Sequence, residues 1–196
     1  MKKTQNDFLR YSLFIAFVTL VIAFIINILA TATLASTGWA IGMLVVLVII
    51  LIGVFFDILG IAATAAREEP FLAMCADKRP GAMEALRVVR NADKFSNFCN
   101  DVIGDIAGII SGVSSAAVVI GLIRDMGVSE GSAAYIIISV LFSSLVAALT
   151  VGGKAFGKSY AIKYSTQITF TVGRFLAFLE KYFKISFFKS YKGKGR

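Results

Sequence analysis

Four apolar stretches dominate this chain, each near or above the roughly 20 helical residues needed to cross a hydrocarbon core of about 30 Å. Residues 11–33 carry no charge at all, and residues 133–151 are likewise uncharged. Residues 39–66 carry a single charge, Asp57, and residues 96–123 carry Asp101 and Asp105. Such runs restrict the backbone to structures that satisfy every peptide group internally, which in lipid means helices or a closed barrel. No segments of alternating hydrophobicity mark a barrel, so the spans are predicted as helices. Composition agrees: 58% of residues are apolar and 16% charged, against about 45–50% and 25% in soluble domains. A mean hydropathy of +0.81 leaves too little polar surface to coat a soluble globule. Disorder is excluded by the same richness in apolar residues, and disulfide-stapled or collagen-like folds by 2 Cys and 2 Pro. The expected fold is an all-α integral membrane protein, one polytopic membrane domain over residues 1–196.

Charge sets the expected orientation. Of the 20 lysines and arginines, 19 precede the first span, lie between the second and third, or follow the fourth. Only Arg124 falls in the two other connections, residues 34–38 and 124–132. Basic loops stay on the cytoplasmic side, which predicts a multi-pass cell-membrane protein with both termini and the central loop in the cytoplasm. The first apolar run, residues 11–33, exceeds the usual 7–15 residues of a cleaved signal and is expected to remain as a membrane helix.

The central loop, residues 67–95, is more than a connector. Pro70 suits the first turn of a helix, and Pro80-Gly81 breaks one. Beyond that break Ala82–Arg90 has helical spacing of Met83, Leu86 and Val89. The loop is therefore predicted as a cytoplasmic helical hairpin. After the fourth span, Ile168, Val172, Phe175, Leu176, Leu179, Tyr182 and Phe183 recur at three- and four-residue intervals. They predict an amphipathic helix that either lies along the membrane or packs beneath the spans. Residues 184–196 form a basic tail with Phe187, Phe188 and Tyr191 interleaved. Its readings are ordinary cytoplasmic charge or docking to anionic lipids, at about 1 kcal/mol per basic residue near the surface. No nucleic-acid motif accompanies the charge, so the expected partners are the lipid bilayer and anionic lipids.

The chain has no histidine, which removes His-based acid–base catalysis, His-containing triads and His-ligated zinc. Cys75 and Cys99 form no CxxC motif and are expected as free thiols. Attention falls on the carboxylates, because a charge at the centre of a membrane helix costs at least about 2.5–3.5 kcal/mol. On a regular helix Asp101 and Asp105 share a face, and Asn97 continues it one turn earlier. Like charges one turn apart require a cation, a proton or a basic side chain between them. Lys154 is the candidate basic partner, next to Gly153 just after the fourth span. Alternatively, Asp57, Asp101, Asp105, Asn97 and Asn100 offer oxygen ligands suited to a hard cation such as Mg²⁺ or Ca²⁺. Gly104, Gly108 and Gly112 form a small-residue ladder that admits a close helix, from the same chain or a second copy. The Asp-rich pattern of phosphatidyltransferases needs further aspartates and an arginine that residues 101–112 lack, so no enzyme is expected.

Three motifs resemble the transmembrane domain of the CNNM/CorC family, linked to magnesium transport. Gly53-Val54-Phe55-Phe56-Asp57-Ile58-Leu59-Gly60-Ile61-Ala62 is similar to the family's Phe-Ser-x-Ser-Glu-x-Ala stretch. Gly81-Ala82 through Ala85-Leu86 and on to Asp93-Lys94-Phe95 is similar to its Gly-Ala-x-x-Ala-Leu…Pro-Asp-Arg-Phe segment. Gly153-Lys154-Ala155-Phe156-Gly157-Lys158-Ser159 is similar to Gly-Glu-x-x-Pro-Lys-Ser/Thr. The likeness covers about residues 45–185, with residues 11–33 as an additional helix and 184–196 as the tail. It implies Mg²⁺ as a transported ion, no resident cofactor, and a homodimer. The family's nucleotide-binding domains have no counterpart within these residues. It also implies ion ligation by a Ser, two Asn four residues apart, and the Glu of the Gly-Glu motif. Here Asp57 stands where a Ser is expected, and Lys154 where the Glu is. Asp101 and Asp105 have the Asn-pair spacing, although counting from Lys94 places that pair about two residues later. Two functions follow as expectations: divalent-cation transport, or a non-transporting scaffold or partner subunit in which Lys154 pairs with the carboxylates.

Overall fold

The structure, a computed structural model, describes residues 2–36, 38–129 and 131–183. The basic tail, residues 184–196, lies outside them. All regular structure among the described residues is helical: α1 (Lys2–Ser36), α2 (Trp39–Ala65), α3 (Glu68–Ala76), α4 (Ala82–Arg90) and α5 (Ala92–Asn97). A π-helical segment (Phe98–Gly104) follows, then α6 (Asp105–Asp125), α7 (Ala133–Lys163) and α8 (Ser165–Phe183). Four helical stretches are long and apolar enough to cross a membrane: Ser12–Leu34, Trp39–Ala65, Ala92–Asp125 and Ala133–Lys163.

Contacts divide the chain into two compact units. The first comprises residues 1–57 and 98–157, the second residues 58–97 and 158 onwards. In the first unit α6 is the central element: 50% of its most apolar window is buried, against 6% for α1 and for α7. Ile106 and Ile110 of α6 pack with Val102 and Ala30, with Ile22 and Ile26 of α1 laid against them. Val118 of α6 meets Val46 and Ile50 of α2 and Val146 of α7. The outward faces carry fully apolar side chains such as Phe17, Phe24, Ile109 and Leu141, each at least 64% exposed. A soluble monomer rarely exposes so large an apolar area, and hydrocarbon is the solvent that suits it.

Helix α2 shows how sequence dictates a buried stripe. Gly42, Val46, Ile50, Gly53 and Asp57 recur at three- and four-residue spacing, and all are buried. The glycines let α6 approach closely: a Cβ at Gly53 would lie 2.9 Å from Ala107 Cβ, and one at Gly42 2.8 Å from Val118 Cγ2. Asp57 thus belongs to the face that meets protein.

The second unit is built on the predicted hairpin. Helix α4 covers the predicted Ala82–Arg90, and Pro70 lies in the first turn of α3, where its missing N–H breaks no bond. Gly81 precedes α4 with φ of 86°, a left-handed conformation that glycine adopts without strain. Phe71, Ala85 and Leu86 form the buried centre, with Val89 and Phe170 of α8 against it. Helix α8 therefore packs on α4. Gly173 is the contact point, since a Cβ there would come within 2.5 Å of the Ala85 nitrogen and the Gly81 carbonyl oxygen. Arg87 donates to Glu180 at 3.4 Å, with both side chains half-buried, and Arg90 to Glu68 at 3.0 Å on the surface. The exposed pair contributes little; packing holds α8 in place.

Two element boundaries differ from expectation. The fourth span runs on as helix through Gly152, Gly153 and Gly157 to Lys163. Each helical glycine costs about 1 kcal/mol relative to alanine, but a Cβ at Gly153 would touch Val54 at 3.0 Å, so glycine there serves the approach of α7 to α2. The third span is not a regular helix: it opens with α5 and one π-helical stretch before α6 begins.

Candidate functional site

Three charged side chains meet in the first unit. Asp57 sits on the buried face of α2, with its side chain 9% exposed. Lys154 lies on α7 two turns beyond Val146, past Thr150, so it shares the inward face of that helix. Its Nζ stands 3.0 Å from Asp57 Oδ2 and 3.7 Å from Asp105 Oδ1. The lysine side chain is 31% exposed and that of Asp105 66% exposed. One ammonium therefore bridges a buried carboxylate and a solvated one, with the short, hydrogen-bonding distance on the buried partner.

This asymmetry has a physical logic. Desolvation weighs most on Asp57, and a contact as short as 3.0 Å supplies both Coulomb attraction and a charge-assisted hydrogen bond. Asp105 keeps much of its hydration, so its looser contact adds less.

Gly104 completes the seat of Asp57. A Cβ on Gly104 would collide with Asp57 Oδ1 and would stand 3.4 Å from the Cys99 carbonyl oxygen. Position 104 closes the π-helical segment, so the bulge and the missing side chain together make room for the carboxylate. Such bulges recur at functional positions in helices. Gly104→Ala is expected to lower stability by about 1–2 kcal/mol through overpacking. Thermal unfolding of the full-length protein in detergent measures it, and an unshifted midpoint would contradict the proposed seat.

Asp101 is exposed, and among the described residues it forms no ion pair. Asp101 lies within the π-helical stretch Phe98–Gly104, four residues before Asp105, which opens α6. Asn100 is half-buried within that stretch, while Asn97 is exposed and belongs to the second unit. Among the described residues no group of three or more Cys, Asp or Glu side chains is arranged to hold a metal ion. Gly153 borders the site through its approach to Val54.

The glycine ladder divides as well. Gly104 is occupied by Asp57, whereas a Cβ at Gly108 or Gly112 would meet nothing within 4 Å. Those two glycines, with Ser111, Ser115, Ser143 and Ala147, line an open groove of about 320 Å³ between α6 and α7. Ser111 and Ser115 donate to the carbonyls of Gly108 and Gly112, at 2.9 and 2.7 Å, so their hydroxyls need no partner in the groove.

Both cysteines are free thiols. At Cys75, outside the spans, burial pushes the thiol up from its ordinary value; Glu84 adds to the shift and Arg90 opposes it. The protonated, unreactive form therefore dominates at neutral pH.

Among the described residues, the fold and this site define a helical protein with four span-length apolar helices and a lysine that contacts two carboxylates among them. No protein-family model, curated protein or solved structure matches the chain. The likeness to CNNM/CorC proteins rests on the motifs read above.

Proposed function

We propose that this chain is a multi-pass cell-membrane protein of the CNNM/CorC kind in which the Lys154 ammonium holds the place of a divalent cation. It then acts as a non-transporting scaffold or partner subunit. The observation that carries this reading is the 3.0 Å contact of Lys154 Nζ with Asp57 Oδ2. A lysine fixed at that distance satisfies the buried Asp57 carboxylate and repels an incoming Mg²⁺. The distribution of basic residues supports cytoplasmic termini. The groove at Gly108 and Gly112 supports a homodimer with a second copy's helix seated there. Anionic lipid is the partner of the tail.

Mg²⁺ transport is the second reading, favoured by Asp105. Its carboxylate is 66% exposed and only 3.7 Å from the ammonium, a contact weak enough for a hard cation to replace. Mg²⁺ entry into proteoliposomes separates the two. The scaffold reading predicts entry no faster than in protein-free vesicles. Entry that disappears in Asp57→Asn and Asp105→Asn would overturn it and select transport.

A further inference from the structure

Helix α8 has an exposed face beside the one that meets α4, with the stem of Arg174 against Gly81 at its margin. Gly173 meets α4 and Val172, Leu176 and Ala177 are half-buried, while Phe175, Phe178 and Tyr182 are 60%, 53% and 69% exposed. The Phe178 and Tyr182 rings rest on each other with centroids 4.5 Å apart. Helical spacing gathers these aromatics and the exposed Arg174 and Lys181 into one stripe about a third of the circumference wide. Within it the two cations line one edge, Phe175 and Tyr182 line the other, and Phe178 lies between.

We infer that this stripe is a membrane-interface anchor, with its aromatic edge among the acyl-chain ends and its basic edge at anionic phospholipid headgroups. The residue types match that depth: Phe and Tyr settle at the boundary between hydrocarbon and water, and Arg and Lys reach outward to phosphates. Chain continuity brings the stripe to the boundary. Only Tyr164 separates α8 from α7, a helix of 31 residues whose length of about 46 Å carries it past the hydrocarbon core into the headgroup layer. That junction itself carries interfacial chemistry, with Tyr160 and Tyr164 rings 4.7 Å apart and Lys163 Nζ 5.3 Å above the Tyr164 ring. Charge complementarity selects the lipid class, since both charged groups on the stripe are positive. The inference is independent of what Lys154 does, because no residue of the ion-pair site belongs to the stripe.

The test uses the full chain in a Trp39→Phe background, which removes the single native tryptophan. Phe178→Trp and, separately, Phe175→Trp place an indole on the exposed stripe. The proteins are reconstituted into vesicles of phosphatidylcholine and phosphatidylglycerol whose acyl chains carry bromine near the headgroup. The anchor predicts that bromine lowers indole emission about two-fold at both positions and that aqueous acrylamide quenches weakly. Arg174→Gln combined with Lys181→Gln should restore part of the emission of Phe178→Trp in these vesicles. Emission insensitive to bromine at both positions overturns the inference, whether the indole is open to acrylamide or shielded by protein. Quenching unchanged by loss of both cations overturns its anionic-lipid half.

Discussion

Lys154→Ala is expected to destabilise the protein by about 3 kcal/mol, the lower end of what breaking a buried ion pair costs. The substitution strands Asp57, whose side chain is 9% exposed, while the solvated Asp105 loses little. At about 2–4 °C per kcal/mol for a chain of this size, the midpoint of thermal unfolding in detergent falls by on the order of 10 °C. Lys158 provides the internal comparison. It is exposed one turn further along the same helix, and Lys158→Ala should stay within about 0.5 kcal/mol of the parent. Equal midpoints for the two variants would show that the ammonium of Lys154 does not compensate the buried carboxylate. Lys154→Arg should retain part of the stability, because it keeps the charge but presents a planar fork where a single nitrogen now fits.

Gly173→Ala is expected to be equally severe for a different reason. Its Cβ would lie 2.5 Å from backbone atoms of Gly81 and Ala85, which cannot rotate away as a side chain would. Helix α8 must shift off α4, at a cost near or above about 3 kcal/mol, the upper part of the overpacking range. Limited trypsin digestion reads the shift at Arg87, which is half-buried and paired with Glu180 in the parent. Faster cleavage there, together with a lowered melting midpoint, is the expected result. Gly152→Ala gives the opposite sign: nothing lies within 4 Å of that Cβ, so only helix propensity changes, with a gain of about 0.5–1 kcal/mol. A Gly173→Ala protein as stable and protease-resistant as the parent would mean that α4 and α8 are not packed at that point.

The spans were legible because hydrophobic length and the absence of charge carry them directly. The hairpin was legible because Pro70 and Pro80-Gly81 punctuate it. The stripe Gly42, Val46, Ile50, Gly53, Asp57 was equally open to reading from its spacing, and it places the aspartate toward protein. The identity of the lysine's partner was less accessible. Sequence reasoning pairs Lys154 with Asp101 and Asp105; the Asp105 contact is present at 3.7 Å, and the shorter one, at 3.0 Å, falls on Asp57. No local composition in Phe98-Cys99-Asn100-Asp101 announces the wider turn of the π-helical stretch at Phe98–Gly104. Its role as a seat for Asp57 makes Gly104 the residue that sequence reasoning assigned differently, as one rung of a ladder. The helical continuation through Gly152-Gly153 was hidden for a related reason. Glycine reads as a terminator when its neighbours are unknown, and tertiary approach to Val54 overrides that propensity.

The central claim is that a lysine neutralises a carboxylate held inside the membrane-spanning helices. A double-mutant cycle of Asp57→Asn and Lys154→Met, read by unfolding of the full-length protein in detergent, tests it most directly. A direct ion pair predicts that each single substitution destabilises, that the double variant recovers most of the loss, and that the coupling is about 2–3 kcal/mol. Additive effects, with coupling below about 0.5 kcal/mol, would contradict it.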